Sequence, residues 1–160
     1  TINTTIRVGD NDAWIEVRPP TTADTMSLSY QLDYANNSPI PRQTFSIDIS
    51  PASFQTELAA ARTFVLQSAA NQMQARGLGL RVTTADLIVF DDNGPVSNSL
   101  RFDNECARHK TLDMIGDLAL AGTDLHGEFE AYRTGHRLNA ELVRQILIQH
   151  KFSNTMAECA

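Results

Sequence analysis

The sequence has little that would mark a special environment. Only two cysteines, Cys106 and Cys159, occur in 160 residues, and they form no CxxC pair. Two distant thiols make no disulfide framework, so free thiols in a reducing, cytoplasmic setting are expected. No apolar run approaches the roughly 20 residues that cross a bilayer, so no transmembrane segment is expected. Residues Thr1 to Asp10 are polar and alternating, unlike a signal peptide. The first residue is threonine rather than methionine, which gives the expectation of preceding sequence. Bases are scarce: 13 Lys and Arg against 19 Asp and Glu leave a net charge of −6. With no basic stripe, a nucleic-acid partner is not expected. Repeats and low-complexity tracts are missing too. What remains is an ordinary balance of 42% hydrophobic and 20% charged residues, at a size suited to one domain with a substantial core.

The first fifty residues read as strands. Trp14 and Glu16 alternate with Ile15 and Val17 until Pro19-Pro20 ends the run. Over Met26–Tyr34, Leu28, Tyr30 and Leu32 alternate with serine, glutamine and aspartate; over Gln43–Ile49, Phe45, Ile47 and Ile49 share a face. Ala35 to Pro41 is a turn region, and short polar links predict antiparallel pairing. Ser50 before Pro51 predicts a capped helix start. A short strand is expected over Thr63–Leu66, a helix over Ser68–Arg76 stopped by Gly77 and Gly79, and a strand over Leu87–Phe90 before the Asp91-Asp92-Asn93-Gly94-Pro95 turn. The longest helix is expected from Asn104 to Ala121, with Leu112, Ile115, Leu118 and Ala119 as its apolar stripe and Gly122 as its stop. A strand over Gly127–Arg133 and a helix over Asn139–His150, capped by Asn139, complete the chain, and residues 151–160 are expected to fray. The order predicts an α+β, two-layer sandwich: a mixed β-sheet with helices on one face, plus a βαβ insert.

The residues with most chemical potential lie in Arg108-His109-Lys110-Thr111-Leu112-Asp113-Met114-Ile115-Gly116-Asp117. His109 and Asp113 are four apart, one helical turn, so imidazole and carboxylate can reach one zinc ion. Asp117 continues the row. Spacing alone favours the plainer reading of a solvated or hydrogen-bonded pair. Two features raise the metal reading: Gly116 costs a helix about 1 kcal/mol relative to alanine, and ionisable groups beside an apolar stripe need partners. His136, in Arg133-Thr134-Gly135-His136, falls on a loop, where an ordinary loop histidine is the plainer reading. Thr63, in Ala61-Arg62-Thr63-Phe64, has a hydroxyl that can donate to an oxyanion or simply bond locally. His126 and His150 read as surface residues.

Taken in order, these segments resemble the UDP-3-O-acyl-N-acetylglucosamine deacetylase family. The matching pieces are Ala61-Arg62-Thr63-Phe64, Leu100-Arg101-Phe102, Glu105, Arg108-His109-Lys110, Leu112-Asp113, Gly116-Asp117-Leu118, Gly135-His136, Leu138-Asn139 and Glu141-Leu142. Members have two similar domains. The resemblance implies that residues 1–160 are the second, with the first absent and an acyl-passage insert at about 63–96. Val65, Leu66, Met73, Leu78, Leu80, Leu87, Ile88 and Val89 are the candidates to line that passage. The implied activity is zinc-dependent deacetylation of an acylated UDP-sugar in lipid A synthesis.

Carried over by position, His109 and Asp113 match two of three zinc ligands. His136 matches a general acid or electrostatic stabiliser, and Asp117 its partner. Thr63 matches the hydroxyl that polarises the reacting carbonyl, Phe64 a substrate contact, and Lys110 a lysine near the substrate's diphosphate. The third ligand and a glutamate base belong to a His-x-x-Glu-His-like motif of the first domain, which this sequence lacks. The chain is therefore expected to supply half an active site and to be inactive alone. The sequence departs from the pattern at Gly79-Leu80-Arg81-Val82, where a double glycine is usual after the insert's helix; at Cys106-Ala107, where bulkier apolar residues are common; and at Arg133, in place of a frequent lysine. The competing reading is a non-catalytic module that binds an acylated nucleotide or a protein.

Overall fold

The computed structural model describes residues 1–34 and 38–158, with side chains as far as His150. The alternating segments build one five-stranded sheet: β1 (Ile6–Gly9), β2 (Trp14–Arg18), β3 (Met26–Leu32), β4 (Gln43–Asp48) and β8 (Gly127–Tyr132), in the order β1-β2-β8-β3-β4. Its inner face carries Ile15, Val17, Leu28, Tyr30, Phe129 and Ala131, all buried. Register lines them up: Leu28 lies beside Phe129 and Ile47, Tyr30 beside Ala131 and Phe45. The outer face keeps Ser27, Ser29, Glu16, Glu128 and Glu130, and Arg18 bonds Glu16 and Glu130.

Pairing departs from the expected antiparallel succession. β8 lies between β2 and β3, antiparallel to the first and parallel to the second. Its Phe129 and Ala131 give it the same one-sided apolar face as its neighbours, so it fits a central position as well as an edge. The opening residues also do more than their polarity suggested. β1 joins β2 through a tight hairpin in which the Asp10 carboxylate accepts from the N–H groups of Asp12 and Ala13. Gly9 has φ +103°, and a Cβ there would meet the Ala13 carbonyl at 2.2 Å, so only glycine closes this turn.

Helices cover the inner face. Ser50 caps α1 (Pro51–Ser53) reciprocally with Ser53, and the chain continues through a wider π turn over Phe54–Leu58 that buries Leu58. The long helix α3 (Glu105–Leu118) ends in a 3₁₀ turn, Ala119–Ala121, with Gly122 left-handed at φ 68°. Its buried stripe differs from the expected one: Ala107, Thr111, Met114 and Leu118 face the core, Leu112 and Ile115 are half-buried, and Ala119 is exposed. Small side chains at the helix start, where Gln43 accepts from the Ala107 N–H at 2.9 Å, let the helix approach the sheet along that line. The last helix, α4 (His136–Glu158), starts three residues earlier than expected. Asn139 is interior and fully buried rather than a cap. The backbone stays helical through residues 151–158; Cys159 and Ala160 lie outside the described residues, as do residues 35–37 of the expected turn.

The insert is a second, smaller sheet. β5 (Thr63–Leu66), α2 (Gln67–Ala75) and β6 (Leu87–Asp91) form a βαβ unit with parallel strands, and β7 (Gly94–Pro95) folds back on β6. The whole is α+β in two layers, with the insert set beside α3.

A candidate catalytic cluster at the seam between two sheets

The sequence places a buried ion pair where insert and main body meet. Glu105 opens α3 and is fully buried, yet its carboxylate accepts four bonds. They come from Arg62 Nε (2.9 Å), Arg62 Nη2 (3.0 Å), the Arg62 N–H (3.0 Å) and the Arg101 N–H (2.6 Å). Arg62 Nη1 and Nη2 also donate to the carbonyls of Thr84 and Ser99. Burial pushes the Glu105 carboxyl up, but the guanidinium and backbone donors outweigh it, holding it below the usual carboxylate value. This knot fixes the start of β5 against the start of α3. Sequence reading noted these residues in the matching segments but gave them no role; a buried Arg–Glu pair is visible only once both are known to be inside.

One turn further along α3, His109 and Asp113 reach the seam. His109 Nε2 lies 3.4 Å from Asp113 Oδ1 and 2.9 Å from the Thr63 hydroxyl. The other ring nitrogen, Nδ1, faces the Ala61 carbonyl at 3.4 Å. A proton on Nδ1 leaves Nε2 free to accept the Thr63 O–H, which is also the tautomer a metal needs. Neighbouring donors of a tetrahedral zinc, at bond lengths of about 2.0–2.2 Å, stand about 3.3–3.5 Å apart. The His109–Asp113 separation fits that spacing. Among the described residues no group of three or more His, Cys, Asp or Glu side chains is placed to hold a metal, so the cluster offers two donors. Both are largely shielded, at 15% and 19% side-chain exposure.

Lys110 does not extend into open solvent. Its Nζ donates to Asp113 Oδ2 at 2.7 Å, leaving Oδ1 for the His109 side. Phe64 meets the His109 ring edge-on with centroids 6.0 Å apart, and Tyr34 meets Phe64 likewise at 6.4 Å. Tyr34 had no role in the sequence reading; an aromatic at a strand end carries no distinguishing signal.

Asp117 holds a separate group one turn below. Its carboxylate lies 2.8 Å and 3.0 Å from His136 Nδ1 and accepts from Asn139 Nδ2 at 2.9 Å. The His136 side chain is 71% exposed, so Nε2 points into open space while Nδ1 is held. His136 is the first residue of α4 rather than the loop residue expected, and the turn before it is fastened from below, since the Tyr30 hydroxyl donates to the Thr134 carbonyl at 2.6 Å. Thus Thr63, Phe64, His109, Lys110 and Asp113 are brought into mutual contact, and Asp117 with His136 continues the same row of α3. Of the other histidines, His126 pairs with Asp24 and His150 is exposed. Cys106 is a free, buried thiol pushed up to about 12, mainly by burial.

Beside the cluster the insert holds a cleft of about 460 Å³, with Val65, Met73, Leu78, Leu87 and Val89 on its walls and Thr63 at its rim. Three expected lining residues fall elsewhere: Ile88 is fully buried in the core, while Leu66 and Leu80 face solvent. Strand alternation accounts for the first two, because neighbours on a strand point to opposite faces.

Fold and cluster define an α+β domain whose polar side chains converge on the seam between two sheets. Residues 1–148 match the family described as UDP-3-O-acyl N-acetylglycosamine deacetylase. The chain is also similar to proteins named UDP-3-O-acyl-N-acetylglucosamine deacetylase from Brucella ovis, Brucella canis and Brucella suis. Each is 40% identical over 145 residues, covering 89% of this chain and 49% of the relative. The chain belongs to this deacetylase family. It spans about half the length of the curated relatives it matches.

Proposed function

We propose that this chain forms the second domain, and half the active centre, of a zinc-dependent deacetylase. The reaction converts a UDP-3-O-acyl-N-acetylglucosamine to the UDP-3-O-acyl-glucosamine and acetate, in the cytoplasm and within lipid A synthesis. The observation that carries the reading is the His109–Asp113 donor pair, 3.4 Å apart and bordered by the Thr63 hydroxyl across the seam. His109 Nε2 and Asp113 Oδ1 would hold the ion, which when bound polarises a carbonyl and makes water a better nucleophile near neutral pH.

The chain's own residues then have distinct tasks. Lys110 holds Asp113 Oδ2 and keeps the carboxylate turned toward His109. Thr63, once His109 Nε2 is engaged elsewhere, is free to donate to the oxygen on which negative charge develops. Asp117 holds His136 Nδ1 and fixes its ring, so that Nε2 can deliver a proton to the departing amine. Phe64 borders His109 as an apolar wall against which a sugar can lie. The insert cleft receives the acyl chain. The nucleophile's general base and a third ligand come from the absent half, so the isolated chain is inactive.

The test is reconstitution with the complementary half of a full-length relative, followed by assay. Thr63→Ala should lower kcat by about 10²–10³ and His136→Ala by about 10²–10⁴, with little change in KM. Unchanged turnover in both variants would refute these roles. A second reading, a non-catalytic acyl-binding module, is favoured by one fact: the cleft is formed within this chain, while the donor pair is only two residues. Acyl-ligand binding without any activity in the reconstituted protein would establish it.

A further inference from the structure

The insert's surface is unlike the rest of the molecule. From Thr63 to Ala85 there is no aspartate or glutamate, in a chain that carries 19 of them, whereas Arg76 and Arg81 are both present. Both arginines are exposed, and neither makes an ion pair among the described residues. Between and beside them stand Leu78 and Val82, each about half exposed, and Leu80 at 71%.

This display is built by the backbone. α2 ends in a Schellman turn, with the Gly77 N–H on the Gln74 carbonyl (2.9 Å) and the Leu78 N–H on the Met73 carbonyl (2.9 Å). Gly77 and Gly79 adopt φ of 75° and 69°, a left-handed conformation that suits glycine. The Val82 N–H returns to the Gly79 carbonyl, and Asp86 accepts from the Thr83 N–H and hydroxyl. The tip is therefore a fastened loop that holds three aliphatic side chains outward beside two cations. Exposed aliphatics on a soluble surface are uncommon when clustered, and clustered with unpaired bases they match a lipid headgroup boundary. Leu120 offers a contrast: it is also 66% exposed, but its neighbourhood contains Asp117 and Asp124 and no free base.

We propose that the insert tip, residues 76–82, docks on an anionic lipid bilayer, with Leu78, Leu80 and Val82 entering the headgroup region and Arg76 and Arg81 meeting lipid phosphates. The inference is independent of the metal reading. Leu78 and Val82 belong to both the tip and the walls of the cleft, so a docked tip opens the cleft toward the bilayer.

The experiment is sedimentation of the 160-residue chain with phosphatidylcholine vesicles, with and without about one-third phosphatidylglycerol. The wild type should sediment with the anionic vesicles and only weakly with neutral ones, and should be released as salt rises from about 50 to about 300 mM. Arg81→Glu should lower the partition constant by roughly five-fold or more, Leu80→Asp by roughly ten-fold, and Leu120→Asp should have no effect. All three positions are exposed, and circular dichroism should show the same fold in each. No binding, or binding indifferent to Leu80 and Arg81, would overturn the proposal. So would binding of monomeric laurate without binding of vesicles, which assigns the tip to a single acyl chain.

Discussion

The main sheet and the insert meet at one seam but are built to different standards. On α3, Ala107, Thr111 and Met114 have no exposure at all, and the helix lies against the inner face of the main sheet at β3 and β4. On α2 no residue is buried, and the insert is held to the body by Ile88 and Phe90 of β6 and by the Arg62–Glu105 pair. The body is a packed scaffold; the insert is a thin, exposed appendage on a strong anchor. The candidate site uses both, with His109, Asp113 and Asp117 on the scaffold and Thr63 and Phe64 on the appendage's first strand. Precision at the site therefore depends on the anchor more than on the insert's own packing.

Removing the anchor should have the largest effect. Glu105→Ala leaves the Arg62 guanidinium buried without its carboxylate, and should destabilise the chain by about 3–5 kcal/mol in urea unfolding. A loss below about 1 kcal/mol would mean the pair does not anchor the insert. The same group sets an acid limit. Glu105 lies below its ordinary value in the folded chain, so its contribution is complete above the unfolded carboxylate value, about 4.3. It is lost as pH falls through the lower folded value. Glu105→Gln should flatten stability over that acidic window, and an unchanged acid limb would assign the loss to other carboxylates.

Next in size is the contrast between two methionines. Met114→Ala, at 0% exposure, should cost about 2–5 kcal/mol, and Met73→Ala, at 44%, about 0.5 kcal/mol or less. Equal costs in thermal or urea unfolding would erase the distinction between scaffold and appendage. A further small effect should carry the opposite sign. A Cβ on Gly116 meets nothing within 4 Å, so Gly116→Ala should stabilise this chain by about 0.5–1 kcal/mol. Destabilisation would show that the chain's own packing requires glycine there.

Much of the scaffold was legible in sequence because alternation and capping are local signals. Leu28, Tyr30 and Leu32 announced β3, and Ser50-Pro51 announced α1. The placement of β8 between β2 and β3 was not legible, since nothing in Gly127–Tyr132 distinguishes an edge from a central strand. The stripe of α3 was legible at Leu118 but not at Ala107 and Thr111, because Leu112 and Ile115 outweigh that pair in hydrophobicity while close approach to the sheet favours small side chains. At the site, spacing alone left His109 and Asp113 undecided, and family resemblance supplied the roles. Neither suggested that Lys110 would hold Asp113, or that Asn139 would support Asp117 instead of capping α4. Those contacts depend on which face each helix presents.

The central claim is that His109 and Asp113 form part of a shared zinc centre. The direct measurement is zinc titration by calorimetry, on this chain alone and mixed with the complementary half of a full-length relative, each with and without His109→Ala. The account predicts weak binding by the chain, tight binding by the mixture, and loss of that tight binding in the variant. Tight binding that survives His109→Ala, or no binding in the mixture, would contradict it.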